Sequence, residues 1–125
     1  MTKTTRRPET IEEALQQTGR PVTPAFTEVP EDLRDFFSAV YEGVVAVEAL
    51  NKGERPSWDD PKQKKWLPWM WNNPAASAGF AFYSTTDGYS YASAGDASRL
   101  CCKTQADAEH FGKTFTATID RILRK

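Results

Sequence analysis

The stretch PEDLRDFFSAVYEGVVAVEAL, residues 30–50, decides the helical part of the fold. Leu33, Phe36, Phe37, Val40, Tyr41, Val44, Val47 and Leu50 recur at spacings of three and four, which is the pattern of a helix with one broad apolar face. Pro30 suits the first helical position, where a missing N–H costs nothing. Glu31 and Asp32 place negative charge at the positive end of the helix dipole. Asn51 and Gly53 supply the stop. The helix is expected to be the main core element, with its whole apolar stripe turned inward.

Toward the N-terminus, Thr10 and Glu13 form a capping box: the hydroxyl accepts from the third helical N–H, and the carboxylate reaches back to the cap's own amide. A short helix follows, with Ile11, Ala14 and Leu15 on one face, and Gly19-Arg20-Pro21 ends it. Residues 20–29 carry Pro21 and Pro24 and read as an extended connector pinned by Phe26. Residues 1–8 are polar and basic and are expected to be a disordered tail, leaving 9–125 as a single domain.

Toward the C-terminus, GFAFYSTTDGYSYASAGDASRLCCK, residues 79–103, changes to a β-like pattern. Phe80, Phe82 and Tyr83 make an aromatic strand. Thr86-Asp87-Gly88 offers a hairpin turn ahead of Tyr89 and Tyr91. Ser98 to Lys103 reads as a further strand, and Trp66 to Trp71 as an edge strand, because Pro68 cannot donate to a central ladder. Thr104 with Asp107 then caps a final helix carrying Ala108, Phe111, Phe115, Ile119 and Ile122 to the end of the sequence. Strands that cluster without crossover helices imply antiparallel pairing. The expected class is α+β: a small antiparallel sheet with an N-terminal helix pair and a C-terminal helix packed on it.

Composition removes several function classes. The 125 residues carry 26% charged side chains and a formal net charge of −1, so no global field marks a nucleic-acid or membrane binder. No apolar run approaches the roughly 20 residues a membrane span needs, and residues 1–8 lack the hydrophobic segment of a secretory signal, so a cytoplasmic setting is expected. No phosphate-binding glycine loop or dinucleotide fingerprint occurs, and no cofactor is expected. Cys101 and Cys102 are the only cysteines and His110 the only histidine, too few for a zinc site at workable spacing. Adjacent cysteines on a strand point to opposite sides, which opposes a disulfide between them. A nucleophilic site would have to use His110, and a dyad of it with Cys101 or Cys102 is a weak candidate. Asp59 and Asp60 before Pro61 read as a cap and turn, not a metal site.

One segment stands apart. All four tryptophans fall between residues 58 and 71, mixed with a basic run. Trp58, Lys62, Lys64, Lys65, Trp66, Trp69 and Trp71, with Arg99 and Lys103, make a candidate binding surface, since aromatics and cations together can hold a protein partner or stack on bases and neutralise phosphates. Tyr89 and Tyr91 add contact area at low entropic cost. Residues 30–60 hold three basic and eight acidic side chains, whereas residues 61–125 hold nine basic and five acidic ones. That split permits opposed faces or a self-associating pair.

Several stretches carry a resemblance. Ala49-Leu50-Asn51-Lys52-Gly53, Pro56, Trp58, Asp60, Pro68-Trp69, Gly79-Phe80-Ala81-Phe82, Ser98-Arg99-Leu100-Cys101-Cys102-Lys103-Thr104 and Gly112-Lys113 with Phe115 resemble a group of short uncharacterised proteins of Bacteroidetes genomes and their phages. Cys102 stands where an aromatic is usual in that group, and Asp96-Ala97 replaces a residue-glycine pair. The resemblance implies a phage or mobile-element origin, in the host cytoplasm or a virion, with no established activity. The combined expectation is a non-enzymatic interaction module acting on a host or phage protein, with a nucleic-acid accessory role as the alternative and a small Cys/His enzyme as the third.

Overall fold

In a computed structural model, which describes residues 6–54, 59, 63–72, 80–88 and 98–124, the chain is mostly helical. Helix α1 (Ile11–Thr18) starts as its cap requires: Thr10 is extended and its hydroxyl accepts from the Glu13 N–H at 3.1 Å. Glu13 accepts from the Glu9 amide at 3.2 Å and from Arg6 at 2.8 Å, so the reciprocal capping bond falls one residue earlier than expected. Gly19 ends the helix at φ 71°, a left-handed conformation that costs other residues about 1–2 kcal/mol.

Helix α2 (Glu31–Leu50) differs from its expected form in two ways. Pro30 precedes the helix in an extended conformation, ψ 141°, instead of occupying its first turn. The inward face also takes in only part of the large-residue stripe. Ala39, Gly43, Ala46 and Leu50 are buried together with Val45, Val47 and Ala49, while Leu33 and Phe37 remain 41% and 40% exposed. Close approach explains the difference: a Cβ on Gly43 would lie 3.2 Å from Ile122 Cδ1 and 3.5 Å from Leu100 Cδ2. Small side chains are needed where neighbours press this near. Leu33 and Phe37 lie in the first two turns of the helix, ahead of Ala39, where the fully buried residues begin.

Strand β1 (Lys65–Asn72) pairs antiparallel with β2 (Phe80–Gly88) in a two-stranded ribbon, with a bulge where Trp69 opposes Ser84 and Met70 opposes Phe82. The edge-strand reading of 66–71 therefore describes β1, and Thr86-Asp87-Gly88 is ladder, not turn, because β2 takes β1 as its partner. Tyr89 and Tyr91 lie outside the described residues. Ser98 to Lys103 is not a strand: Ser98–Leu100 is a single 3₁₀ turn, and only Cys102 makes a bridge, to Trp66. Among the described residues the expected sheet reduces to the ribbon.

Helices α3 (Gln105–Thr114) and α4 (Thr116–Arg124) replace the single final helix. Thr104 caps α3 by accepting from the Asp107 N–H at 3.1 Å. The break follows from Thr116, whose hydroxyl donates to the Gly112 carbonyl at 2.7 Å, a side-chain bond competing with the backbone ladder. Gly112 lets α3 lie on the ribbon, since a Cβ there would sit 2.4 Å from Phe82 Cδ1 and 2.7 Å from Pro68 Cβ. The core joins Ala14 of α1, the buried face of α2, Cys102, Ala108, Phe111, Phe115 and Ile119, with Trp66 and Met70 packed against it.

Part of the tail expected to be disordered is docked. Pro8 is fully buried, its carbonyl accepts from His110 Nε2 at 2.7 Å, and Arg7 pairs with Asp107 at 2.8 Å. No helix among the described residues is long and apolar enough to cross a membrane.

Candidate functional site

The bridge between Trp66 and Cys102 assembles the site. The Trp66 N–H donates to the Cys102 carbonyl at 2.9 Å and the Cys102 N–H donates to the Trp66 carbonyl at 2.8 Å, bringing residues 64–66 alongside 102–104. On the other side of the same segment, the Asn51 side chain takes the place of a strand. Its Nδ2 donates to the Cys101 carbonyl at 3.0 Å and its Oδ1 accepts from the Lys103 N–H at 3.0 Å. Asn51 is itself buried and caps α2, so one residue ties the helix end to this segment. Two cationic stretches far apart in sequence thus meet at the C-terminal end of α2.

Lys64 is exposed with Nζ 5.6 Å from the Trp66 ring centroid, a cation–π distance. Trp66 is half-buried against the core, so it is not the freely exposed ring expected of a stacking platform. Lys65 is fully buried and engaged inside the protein; it is no part of a cationic surface. The alternation of a strand explains the contrast, because neighbours at 64, 65 and 66 face different sides. Lys103 is half-buried and pairs with Glu54 at 3.4 Å.

Arg99 is exposed on the 3₁₀ turn and makes no ion pair among the described residues. It lines a groove of about 280 Å³ with Arg20, Val44, Val47, Glu48 and Asn51. Arg20 meets Glu48 at 2.9 Å across this groove. The last turn of α2 contains no basic residue, so Arg20 and Arg99, brought by the fold, supply the positive charge that complements the negative helix end. The arrangement leaves a net cationic groove whose accessible lining is mostly polar.

The remaining predicted residues divide plainly. Trp58, Lys62, Tyr89 and Tyr91 lie outside the described residues. Trp69 and Trp71 are β1 positions opposite Ser84 and Ala81, and their side chains lie outside the described part. Asn51 and Arg20 were not legible as site residues; an Asn-Lys-Gly helix end signals a stop, and nothing local connects it to residues 101–103.

The Cys–His dyad does not form. Cys101 and Cys102 are both fully buried and neither is in a disulfide among the described residues. Burial chiefly, then the charge of Asp107 and the neighbouring Cys101, pushes the Cys102 thiol far above its usual range. The Pro8 carbonyl can only accept, so His110 Nε2 is the donor, and Nδ1 faces the Thr114 hydroxyl at 3.5 Å. Both ring nitrogens are thus engaged by groups other than the thiols.

Comparison with protein-family models, with curated proteins and with solved structures gives no match. The chemistry of the groove at the end of α2, where Arg99 lies with Arg20, therefore carries the functional reading.

Proposed function

We propose that this chain is a non-enzymatic binding module, of phage or mobile-element type, that docks on a host or phage protein through the groove bearing Arg99, with Lys64 and Trp66 as further candidate contacts. The observation that carries the reading is the exposed Arg99 guanidinium, without an ion pair among the described residues, at a groove that also holds Arg20 and two valines. A guanidinium in that position suits a carboxylate on the partner, held by paired hydrogen bonds, while the half-buried Val44 takes an apolar neighbour of that carboxylate. The module is read as α+β with the ribbon as its sheet, working in the cytoplasm of a bacterial host or in a virion.

A nucleic-acid partner is the second reading. Stacking on bases calls for open aromatic faces, and Trp66 packs on the core with Lys64 over its ring, which favours a protein partner.

A photo-activated cross-linking residue placed at position 99 in a Bacteroidetes host tests the proposal. One discrete cross-linked protein is expected at position 99 and none from Gln16, an exposed position on α1. Identical products from both positions, or nucleic acid in place of protein at position 99, would contradict it.

A further inference from the structure

The first half of α2 presents a surface that the core does not use. Leu33 and Phe37 are one helical turn apart and 41% and 40% exposed. Phe36 lies edge-on to Phe37 with ring centroids 5.7 Å apart, and Phe26 from the connector adds a third ring 6.0 Å from Phe37. Val22, 77% exposed, sits one turn further along, between Pro21, whose carbonyl accepts from Tyr41, and Thr23, which donates to Glu42.

Phe26 has φ 52°, left-handed backbone that an aromatic residue rarely adopts. Arg34 holds the turn in place by donating to the Val29 carbonyl at 2.7 Å and the Thr27 carbonyl at 3.0 Å. Strain kept in place to set a ring on an open platform is the pattern of a working surface. Those bonds also turn the Arg34 charge into the connector.

Charge around this platform is net negative, with Glu28, Glu31, Asp32, Asp35 and Glu42 against Arg34 and Arg121. Glu28, Glu31 and Asp32 are exposed and make no ion pair among the described residues. Asp35 and Glu42 share Arg121, at 3.0 Å and 2.7 Å. Negative charge beside exposed rings is complementary to cations on an apolar backbone of side chains.

We propose that the Leu33–Phe37 face of α2 is a second docking surface, separate from the Arg99 groove, and that it takes a basic amphipathic segment whose apolar residues recur at helical spacing between lysines or arginines. The contact places apolar side chains on Leu33, Phe36 and Phe37 and cations against Glu28, Glu31 and Asp32.

The test uses the full chain and two labelled peptides of about 18 residues, one of leucine and lysine at helical spacing and one of leucine and glutamate. The lysine peptide should bind and the glutamate peptide should not. Binding should weaken about tenfold for Leu33→Ser/Phe37→Ser and about fivefold for Glu31→Gln/Asp32→Asn, and raising the salt from about 0.05 M to 0.5 M should weaken it further in the parent. The charge variants are surface changes that leave the rings alone, so they decide the matter even where the double serine variant loses structure. No binding of the lysine peptide, equal binding of both peptides, or unchanged binding by the charge variants would overturn the proposal. Concentration-dependent self-association abolished by the same substitutions would assign the face to a second copy and overturn it equally. Arg99→Ala should leave peptide binding unchanged, which separates failure here from failure of the Arg99 reading.

Discussion

The two halves of α2 share one apolar pattern and have opposite fates. From Ala39 onward the helix buries small residues against α3, α4 and the 3₁₀ turn, and it ends in Asn51, whose amide is committed on both sides. Before Ala39 the same periodicity leaves Leu33 and Phe37 facing outward. Hydrophobic periodicity specifies a helix, but which side is covered depends on where neighbours can come close, and here Gly43 and Ala46 admit them. The buried half carries the stability, and the open half is available for contact.

Substitutions should separate these halves by size of effect. Gly112→Leu should be the most damaging, because even a Cβ at this position meets Phe82 at 2.4 Å and Pro68 at 2.7 Å. Overpacking of this kind costs about 1–3 kcal/mol or more, read as a lower urea midpoint or loss of soluble protein. Asn51→Ala comes next: it strips the buried Cys101 carbonyl and the part-buried Lys103 N–H of their partner, for a loss of about 2 kcal/mol, each group near the lower end of roughly 1–3. An Asn51→Ala variant as stable as the parent would break the claim that the end of α2 anchors the 101–103 segment.

A pH effect follows from the buried end of the same core. The Cys102 thiol is held above its ordinary value of 9.0 in the folded chain, chiefly by burial. Below that value both states keep the proton and the contribution is fully present. As pH rises above about 9 the unfolded thiol ionises first, so stability falls by up to about 1.4 kcal/mol per pH unit. Denaturant titrations at stepped alkaline pH should show a shallower decline in Cys102→Ala than in the parent. Parallel declines would deny the thiol this role. At the small end, Leu33→Ser should change stability by less than about 0.5 kcal/mol, as expected for exposed positions. A loss comparable to that of Asn51→Ala would mean that the first half of α2 is core after all.

The sequence was readable wherever the cause is local. Both threonine caps, the Gly19 stop, the start of α2 and the edge-strand character of the proline-containing β1 all follow from residues within a few positions of the feature. The unread parts have distant causes. Ser98 to Lys103 alternates like a strand, yet Trp66 on one side and the Asn51 amide on the other satisfy only its last few residues, and the rest turns. The final helix breaks because a threonine hydroxyl competes for the Gly112 carbonyl, a choice that helical spacing does not reveal. Lys64 and Lys65 look alike in a basic run, but one lies over an indole and the other is sealed inside. Of the candidate surface, the residue types at 64, 66 and 99 were legible; the pairing of Trp66 with Cys102 and the groove that Arg99 shares with Arg20 were not.

Hydrogen exchange of the α2 amides, resolved residue by residue in the free protein, tests the division of this helix most directly. Amides of residues 43–51 should exchange only through global unfolding, and those of residues 35–38 through local opening at least about 2 kcal/mol cheaper. Equal protection along the whole helix would show that its first half is held as firmly as its second and would contradict the account.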